Sequence, residues 1–321
     1  VNIMGPRQIT VFGASGFIGR NVVRRLAAAG ARIIAAERDP ERAAFLKPMG
    51  DVGQVAPLFC DVTDPGLVAR ALDGSDGAVN LVGVLYPSGR NSFARVHAQA
   101  PGFIATAAAD AGLKALVHVS AIGADPAAAS TYARTKGEGE AAVRAAFPYA
   151  AILRPSVVFG PEDDFFNRFA ALARLSPLLP LFGGGTNRFQ PVYVGDVAAA
   201  IEAALMRPAL RGQAFELGGP QIYTFAEIME LILAETGRRR GLLPLPMKLA
   251  DLIGWFGDIG ARLGLPPLLT RDQARLLRTD NVASGPGLEA LGVSPTALDV
   301  VLPTYLDRFR ATGRFAKPSR I

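Results

Sequence analysis

Tyr132 and Lys136 stand four residues apart in the run Tyr-Ala-Arg-Thr-Lys. On a helix that spacing puts both side chains on one face. An ammonium beside a phenol favours the phenolate, so the lysine is expected to lower the tyrosine pKa. Such a phenol can exchange a proton with a carbonyl or hydroxyl. Ser120, upstream, is placed to hydrogen-bond the same oxygen. By itself the Tyr/Lys pair fits an exposed helix face equally well, so its context must decide.

That context begins near the amino end. Ile9–Phe12 is a short apolar run that reads as a buried strand, and glycines follow at 13, 16 and 19. Ile18, Val22, Val23 and Leu26 then recur at helical spacing. A strand, a glycine turn and a helix make a phosphate cradle. Gly13 turns the chain, Gly16 admits a pyrophosphate, and Gly19 lets the helix pack close to the sheet. N–H groups at the helix start and its positive dipole end favour the anion. Gly13, Ser15, Gly16, Phe17, Ile18 and Gly19 are therefore candidate nucleotide contacts. A nicotinamide nucleotide held there would move a hydride while Tyr132 moves the proton, with Lys136 also holding the nicotinamide ribose.

The elements that must position these residues follow in order. A helix to Ala29 is capped by Gly30, and a second strand spans Arg32–Asp39. At its end Glu37 suits the ribose of NAD, whereas Arg38 suits the 2′-phosphate of NADP, with Arg20 as a second cation. The arginines favour NADP(H), with NAD(H) as the alternative. Val55–Cys60 is a third strand. Asp61 and Val62 follow, placed to touch adenine; alternatively Asp61 or Thr63 caps a helix from Pro65 to Leu72. Gly77–Gly83 is a fourth strand, ending at Leu81, Val82 and Gly83 beside the cofactor. A helix from Ala94 to Ala111 carries His97, read as a packed or capping residue, and Leu113–Ser120 is a fifth strand. Apolar strands alternating with helices predict an α/β, doubly wound parallel sheet of Rossmann type, with ligands beyond the strands' C-terminal ends.

Composition narrows the class. The chain has 321 residues, a formal net charge of +6, one cysteine and two histidines. A lone Cys60 forms no internal disulfide and points to a reducing compartment. So few ligands argue against a structural metal site. No basic stripe is interleaved with aromatics, so nucleic acid is not the expected partner. No apolar run reaches the length of a membrane span, and the first residues do not read as a secretory signal.

Taken together, these residues resemble the short-chain dehydrogenase/reductase superfamily in its extended or atypical branch. The likeness rests on Gly13–Gly19, Asp61, Asn80–Gly83, Ser120, Tyr132/Lys136, Arg154-Pro155-Ser156 and Phe189–Ala198. A narrower likeness covers nearly the whole chain. His118–Gly123, Lys136–Glu140, Phe159–Phe169, Gln190–Val194 and Thr270–Gln273 are similar to the alpha-subcomplex subunit 9 family of respiratory complex I, in its alphaproteobacterial form. The resemblance implies a structural NADPH and a peripheral place on the cytoplasmic side of the bacterial inner membrane. It also implies complex I subunits of the quinone-binding arm as partners; the basic net charge, for its part, suits an anionic membrane surface or an acidic protein partner. Pro155 joins the implied cofactor contacts. The alternative is an active reductase of an apolar ketone or quinone-like substrate, linked to ubiquinone biosynthesis, with Tyr132, Lys136 and Ser120 as its catalytic set.

The nucleotide domain is expected at 1–160 and 189–210. A smaller, mostly helical lobe with a basic tail is expected at 161–188 and 211–321. Within that lobe a helix spans Phe165–Leu175, and Arg188 and Gln190 are candidates to face a cleft. Gly183–Gly185 is a loop or a lid. Thr224 and Glu227 form a capping box for a helix from Phe225 to Glu235. The apolar stretch 242–269 either packs internally, docks on a protein or lies in a membrane interface. The tail after Pro303, with Tyr305, Phe309 and Phe315, is a tether or disordered.

Overall fold

The computed structural model describes residues 7–87, 89, 91–262, 265, 267, 269–310 and 313. In chain order, β1 (Gln8–Phe12), α1 (Phe17–Ala28), β2 (Arg32–Glu37), β3 (Val55–Phe59), α2 (Pro65–Leu72) and β4 (Gly77–Asn80) come first. Next are α3 (Ala100–Asp110), β5 (Ala115–Val119), α4 (Thr131–Ala146), β6 (Ala151–Pro155) and β7 (Val158–Phe159). Then follow α5 (Phe165–Leu175), β8 (Leu178–Phe182), β9 (Arg188–Phe189), β10 (Val192–Tyr193), α6 (Val194–Met206) and β11 (Ala214–Leu217). The chain continues with β12 (Tyr223–Thr224), α7 (Phe225–Thr236), β13 (Gly241–Leu245), α8 (Met247–Arg262) and α9 (Arg271–Leu276). It closes with α10 (Leu298–Val301) and α11 (Pro303–Leu306).

Two compact units emerge: 1–155 with 195–216 and 285–293, and 156–194 with 217–284 and 294–321. The boundaries differ from the expected ones. Residues 156–160 and 189–194 fall in the second unit, where β7 pairs with β10. Residues 211–216 fall in the first, because β11 adds a strand to the large sheet.

The first unit is built on a seven-stranded sheet in the order β11-β6-β5-β4-β1-β2-β3. The pairs from β3 through β6 are parallel. This is the doubly wound arrangement the sequence predicts. β1 is buried from Ile9 to Phe12, and α1 buries Val22, Val23, Leu26 and Ala27 along one face. α1 stops where Gly30 takes φ +86, a value open to glycine. α2 begins with Pro65 at its first turn, and the Asp64 carboxylate accepts the Gly66 and Leu67 N–H groups at 2.9 and 3.2 Å. The cap is therefore Asp64, not Asp61 or Thr63. Asp61 instead closes a local turn, accepting the Thr63 N–H and hydroxyl at 3.0 and 2.8 Å.

The expected helix from Ala94 to Ala111 has two parts. Ala94–Gln99 is π-helical and α3 continues from Ala100. One helix-period pattern cannot separate a wide turn from a regular one.

The second unit packs around Phe159, Phe166, Leu179, Phe225, Ile228, Ile232 and Leu302. Phe165, Phe169 and Phe225 add edge-on contacts at 5.2 to 6.3 Å between ring centres. The Thr224/Glu227 capping box forms as predicted. Tyr305, in α11, donates to the Asp163 carboxylate at 2.6 Å, and that carboxylate also accepts the Gly160, Phe166 and Asn167 N–H groups. The segment after Pro303 is thus pinned through Tyr305, whereas Phe315 lies outside the described residues. α8 buries Ala250 beside Phe182, Leu269 and Ala274. Its outer face exposes Leu252, Trp255, Phe256 and Ile259.

Candidate nucleotide site

The phosphate turn lies wholly in the first unit. Gly13 sits at φ +79, and a Cβ there would meet the Leu81 and Val82 backbone at 3.3 Å. At Gly19 a Cβ would come within 2.2 Å of the Gly13 carbonyl oxygen. Only glycine lets α1 start this close to the turn. Gly16 is the N-cap residue and has no side chain to satisfy the free N–H groups of the first turn. Phe17 and Ile18 open α1 just behind it. Leu81, Val82 and Gly83 line up beside the turn, with the Leu81 N–H bonded to the Phe12 carbonyl at 3.0 Å. Pro155 ends β6 and its carbonyl accepts the Ile122 N–H at 3.1 Å. Val62 departs from the group: its side chain joins the core with Cys60 and Val68.

At the end of β2 the charges are arranged with care for one another. The Glu37 carboxylate accepts the Ser15 N–H at 2.5 Å, so it reaches back onto the phosphate turn. Arg20 donates to the Ser15 carbonyl at 3.1 Å and stacks over Phe45. Arg38 donates to the Asn91 side chain at 2.6 Å, and Arg95 donates to the Thr63 hydroxyl at 3.2 Å. Burial pushes the Asp61 carboxyl up, but the Thr63 bonds and the charges of Arg38 and Arg95 outweigh it and hold the pKa below its ordinary value. Asn91 and Arg95 escape sequence reasoning, since they sit across a loop with no motif of their own.

Lys136 is buried and donates to the Val119 carbonyl at 3.2 Å. Burial brings its pKa down to about 8, with Glu140 one helical turn on pulling the other way. A Cβ on Gly83 would lie 3.5 Å from its Nζ, so the ammonium stands at the end of β4. Tyr132 packs edge-on against Phe93 and His97, with ring centres 5.8 and 5.2 Å apart. Its phenol is pushed up to about 12 by burial. The expectation that Lys136 lowers it is therefore corrected: desolvation by burial sets the direction, and it is upward. The group is a neutral phenol at neutral pH, suited to giving a proton rather than taking one.

Ser120 directly follows β5, its hydroxyl buried with no hydrogen-bond partner among the described residues. His118, on the same strand, is in the same position at Nε2. Its Nδ1 faces the Asn80 amide at 3.1 Å, while the Asn80 carbonyl oxygen accepts the Val82 N–H. Burial and the Lys136 charge drop the His118 pKa to about 3. His97 is also buried, as the packed reading predicts, and falls to about 3 for the same two reasons. Arg188 and Gln190 find partners within the second unit: Arg188 pairs with Asp280 at 2.8 Å, and Gln190 bonds Gly219 and Ala283.

A glycine turn with no room for a Cβ at Gly19, a lysine facing Gly83 and an orphaned serine hydroxyl fit a dinucleotide. The described residues show no cluster able to hold a metal ion, and no helix among them is long and apolar enough to cross a membrane.

Comparison with known proteins agrees with this geometry. Residues 9–218 match the NAD dependent epimerase/dehydratase family. The chain is 35% identical over 305 residues to the mouse mitochondrial NADH dehydrogenase [ubiquinone] 1 alpha subcomplex subunit 9, covering 94% of this chain and 80% of that protein. It is 31% identical over 313 residues to a ceramide reductase of Caulobacter vibrioides, covering 96% of each. Among solved structures, the fold matches a dTDP-glucose 4,6-dehydratase from Streptomyces venezuelae with NAD bound, at TM-score 0.68, 22% identity and 94% and 96% coverage. The chain therefore belongs to the NAD dependent epimerase/dehydratase family and, within it, to the group of the alpha subcomplex subunit 9 proteins of NADH:ubiquinone oxidoreductase.

Proposed function

We propose that this protein is an NADP(H)-holding accessory subunit of a complex I-type NADH:ubiquinone oxidoreductase, its nucleotide mainly structural. The observation that carries the nucleotide is the glycine turn at Gly13–Gly19, where Gly19 has no room for a Cβ and the first turn of α1 has no side-chain cap on its N–H groups. Bound there, a nicotinamide nucleotide would supply a hydride-transfer centre. Gly13, Ser15, Gly16, Phe17, Ile18 and Gly19 would take its phosphates, Arg38 the 2′-phosphate, and Asp61 the adenine side. Leu81, Val82, Gly83 and Pro155 would border it, and Lys136 and Tyr132 would hold the nicotinamide ribose. Val62 would contribute through its backbone. Glu37 engages its carboxylate on the Ser15 N–H rather than leaving it for a ribose 2′-hydroxyl, which supports NADP over NAD.

Docking would use the exposed stripe Leu252, Trp255, Phe256 and Ile259 of α8, on complex I subunits of the quinone arm. On this reading the protein would sit peripherally on the cytoplasmic side of a bacterial inner membrane. Copurification with those subunits from solubilised membranes supports the reading; recovery on anionic vesicles alone, without them, replaces the protein partner by a lipid surface. Denaturing the purified protein and identifying the released nucleotide tests the cofactor. Arg38→Ala is expected to weaken NADPH binding by about tenfold while sparing NADH. Unchanged NADPH retention in that variant would discredit the assignment.

A second reading is an active NADP-dependent reductase of an apolar carbonyl compound. The ceramide reductase likeness across 96% of both chains favours it, as do the neutral phenol of Tyr132 and the unpartnered, buried Ser120 hydroxyl. In the reducing direction Tyr132 gives a proton to the oxygen that Ser120 holds. Oxidation of bound NADPH on adding apolar ketones, lost in Tyr132→Phe, distinguishes this reading from the first.

A further inference from the structure

His97 joins two parts of the site that the sequence leaves unconnected. It lies in the π-helical turn Ala94–Gln99, a wide turn of a kind often found at functional sites. α4 passes so near that a Cβ on Gly139 would sit 2.0 Å from the His97 carbonyl oxygen. The Val84 N–H donates to His97 Nε2 at 3.0 Å. The ring proton therefore resides on Nδ1, which faces the Thr135 hydroxyl oxygen at 3.4 Å. That hydroxyl in turn donates toward the carbonyls of Thr131 and Tyr132, at 2.8 and 3.1 Å. Every donor in this chain meets an acceptor. The ring also stacks on Phe93 at 5.1 Å and meets Tyr132 edge-on.

We infer that His97 is a positioning residue: it ties the segment after β4, which borders the cofactor, to the α4 turn carrying Tyr132 and Lys136. Gly83 is the neighbour of Val84, and Thr135 is the neighbour of Lys136. One imidazole thus fixes the spacing between the nucleotide-facing backbone and the Tyr/Lys pair. The inference rests on the nucleotide reading proposed above and names the device that holds its site in register.

The test uses the full-length protein, NADPH fluorescence titration, and amide exchange at Val84. His97→Leu removes both hydrogen bonds and leaves the part-buried Val84 N–H unpaired; NADPH affinity should fall by about tenfold or more. His97→Gln keeps an acceptor and a donor and should restore affinity to within about threefold of wild type. Thr135→Val, nearly the same shape, leaves the Nδ1–H unpaired and should give an intermediate loss of affinity with a modest fall in melting temperature. Val84 exchange should speed up in His97→Leu and stay slow in His97→Gln. A His97→Leu protein that binds NADPH like wild type overturns the inference, as does a His97→Gln protein that binds as poorly as His97→Leu. If the wild type binds neither NADPH nor NADH, the proposed function falls. In that case an Nε2–H tautomer by NMR, or a fast Val84 amide in wild type, rejects the brace independently, and an Nδ1–H tautomer with a slow amide supports it.

Discussion

Burying an ammonium costs stability, and Lys136 bears that cost. Its pKa drops from 10.5 in the unfolded chain to about 8 in the folded one. Between those values the unfolded chain binds more protons, so stability should rise as pH climbs from about 8 to 10.5 and stay lower below. Lys136→Met should raise stability at pH 7 by on the order of 3 kcal/mol and flatten that rise, seen in denaturant midpoints across pH. The two histidines act lower. Each is held near pKa 3 against 6.5 unfolded, so stability is full above pH 6.5 and is lost as pH falls toward 3. Replacing both with glutamine should make acid unfolding shallower; an unchanged slope would count against their buried neutral state. At this scale the sequence is half legible. Tyr132, Lys136 and Ser120 can be picked out by type and spacing. The direction of the tyrosine pKa could not, because desolvation depends on what packs around it. The partners Asn91, Arg95 and Thr135 carry no motif.

Elements were more legible than partners. The strand–glycine–helix start, the Phe165–Leu175 helix and the Thr224/Glu227 box follow from periodicity and capping chemistry, which are local. The π turn and the Asp64 cap did not follow, since both are settled by one-residue choices among neighbouring candidates. A tight element junction that bears on the site is Gly19 on the Gly13 carbonyl. Gly19→Ala should cost about 1–3 kcal/mol and abolish nucleotide binding together, because the helix must retreat from the turn that holds the phosphates. Retained NADPH affinity in that variant would contradict the cradle. Tyr305 is a comparable junction in the second unit. Tyr305→Phe leaves the buried Asp163, whose pKa burial already raises, with one donor fewer. The expected loss is about 1–3 kcal/mol, read by thermal unfolding.

At the scale of the whole molecule, the doubly wound sheet was readable because continuous apolar strands alternating with helices have few other solutions. Unit boundaries were less so: β7, β10 and β11 are short, and which sheet each joins depends on pairing rather than on pattern. The outer face of α8 is the point where composition and fold part company. Sequence reasoning leaves its apolar residues open among three roles; the structure uses only the inner ones for packing. Trp255→Ser with Phe256→Ser should leave the melting temperature nearly unchanged while reducing copurification with complex I subunits. A large fall in melting temperature instead would mean that the stripe belongs to the protein's own core.

Trp255 is the chain's only tryptophan, and it stands on that stripe with 46% of its surface in contact with solvent. The protein thus carries a built-in optical reporter at the place where a partner is expected. Its emission should be red in the isolated chain and shift to the blue when something apolar covers α8. Because no other indole contributes, a single spectrum taken before and after mixing reads occupancy directly, without a label.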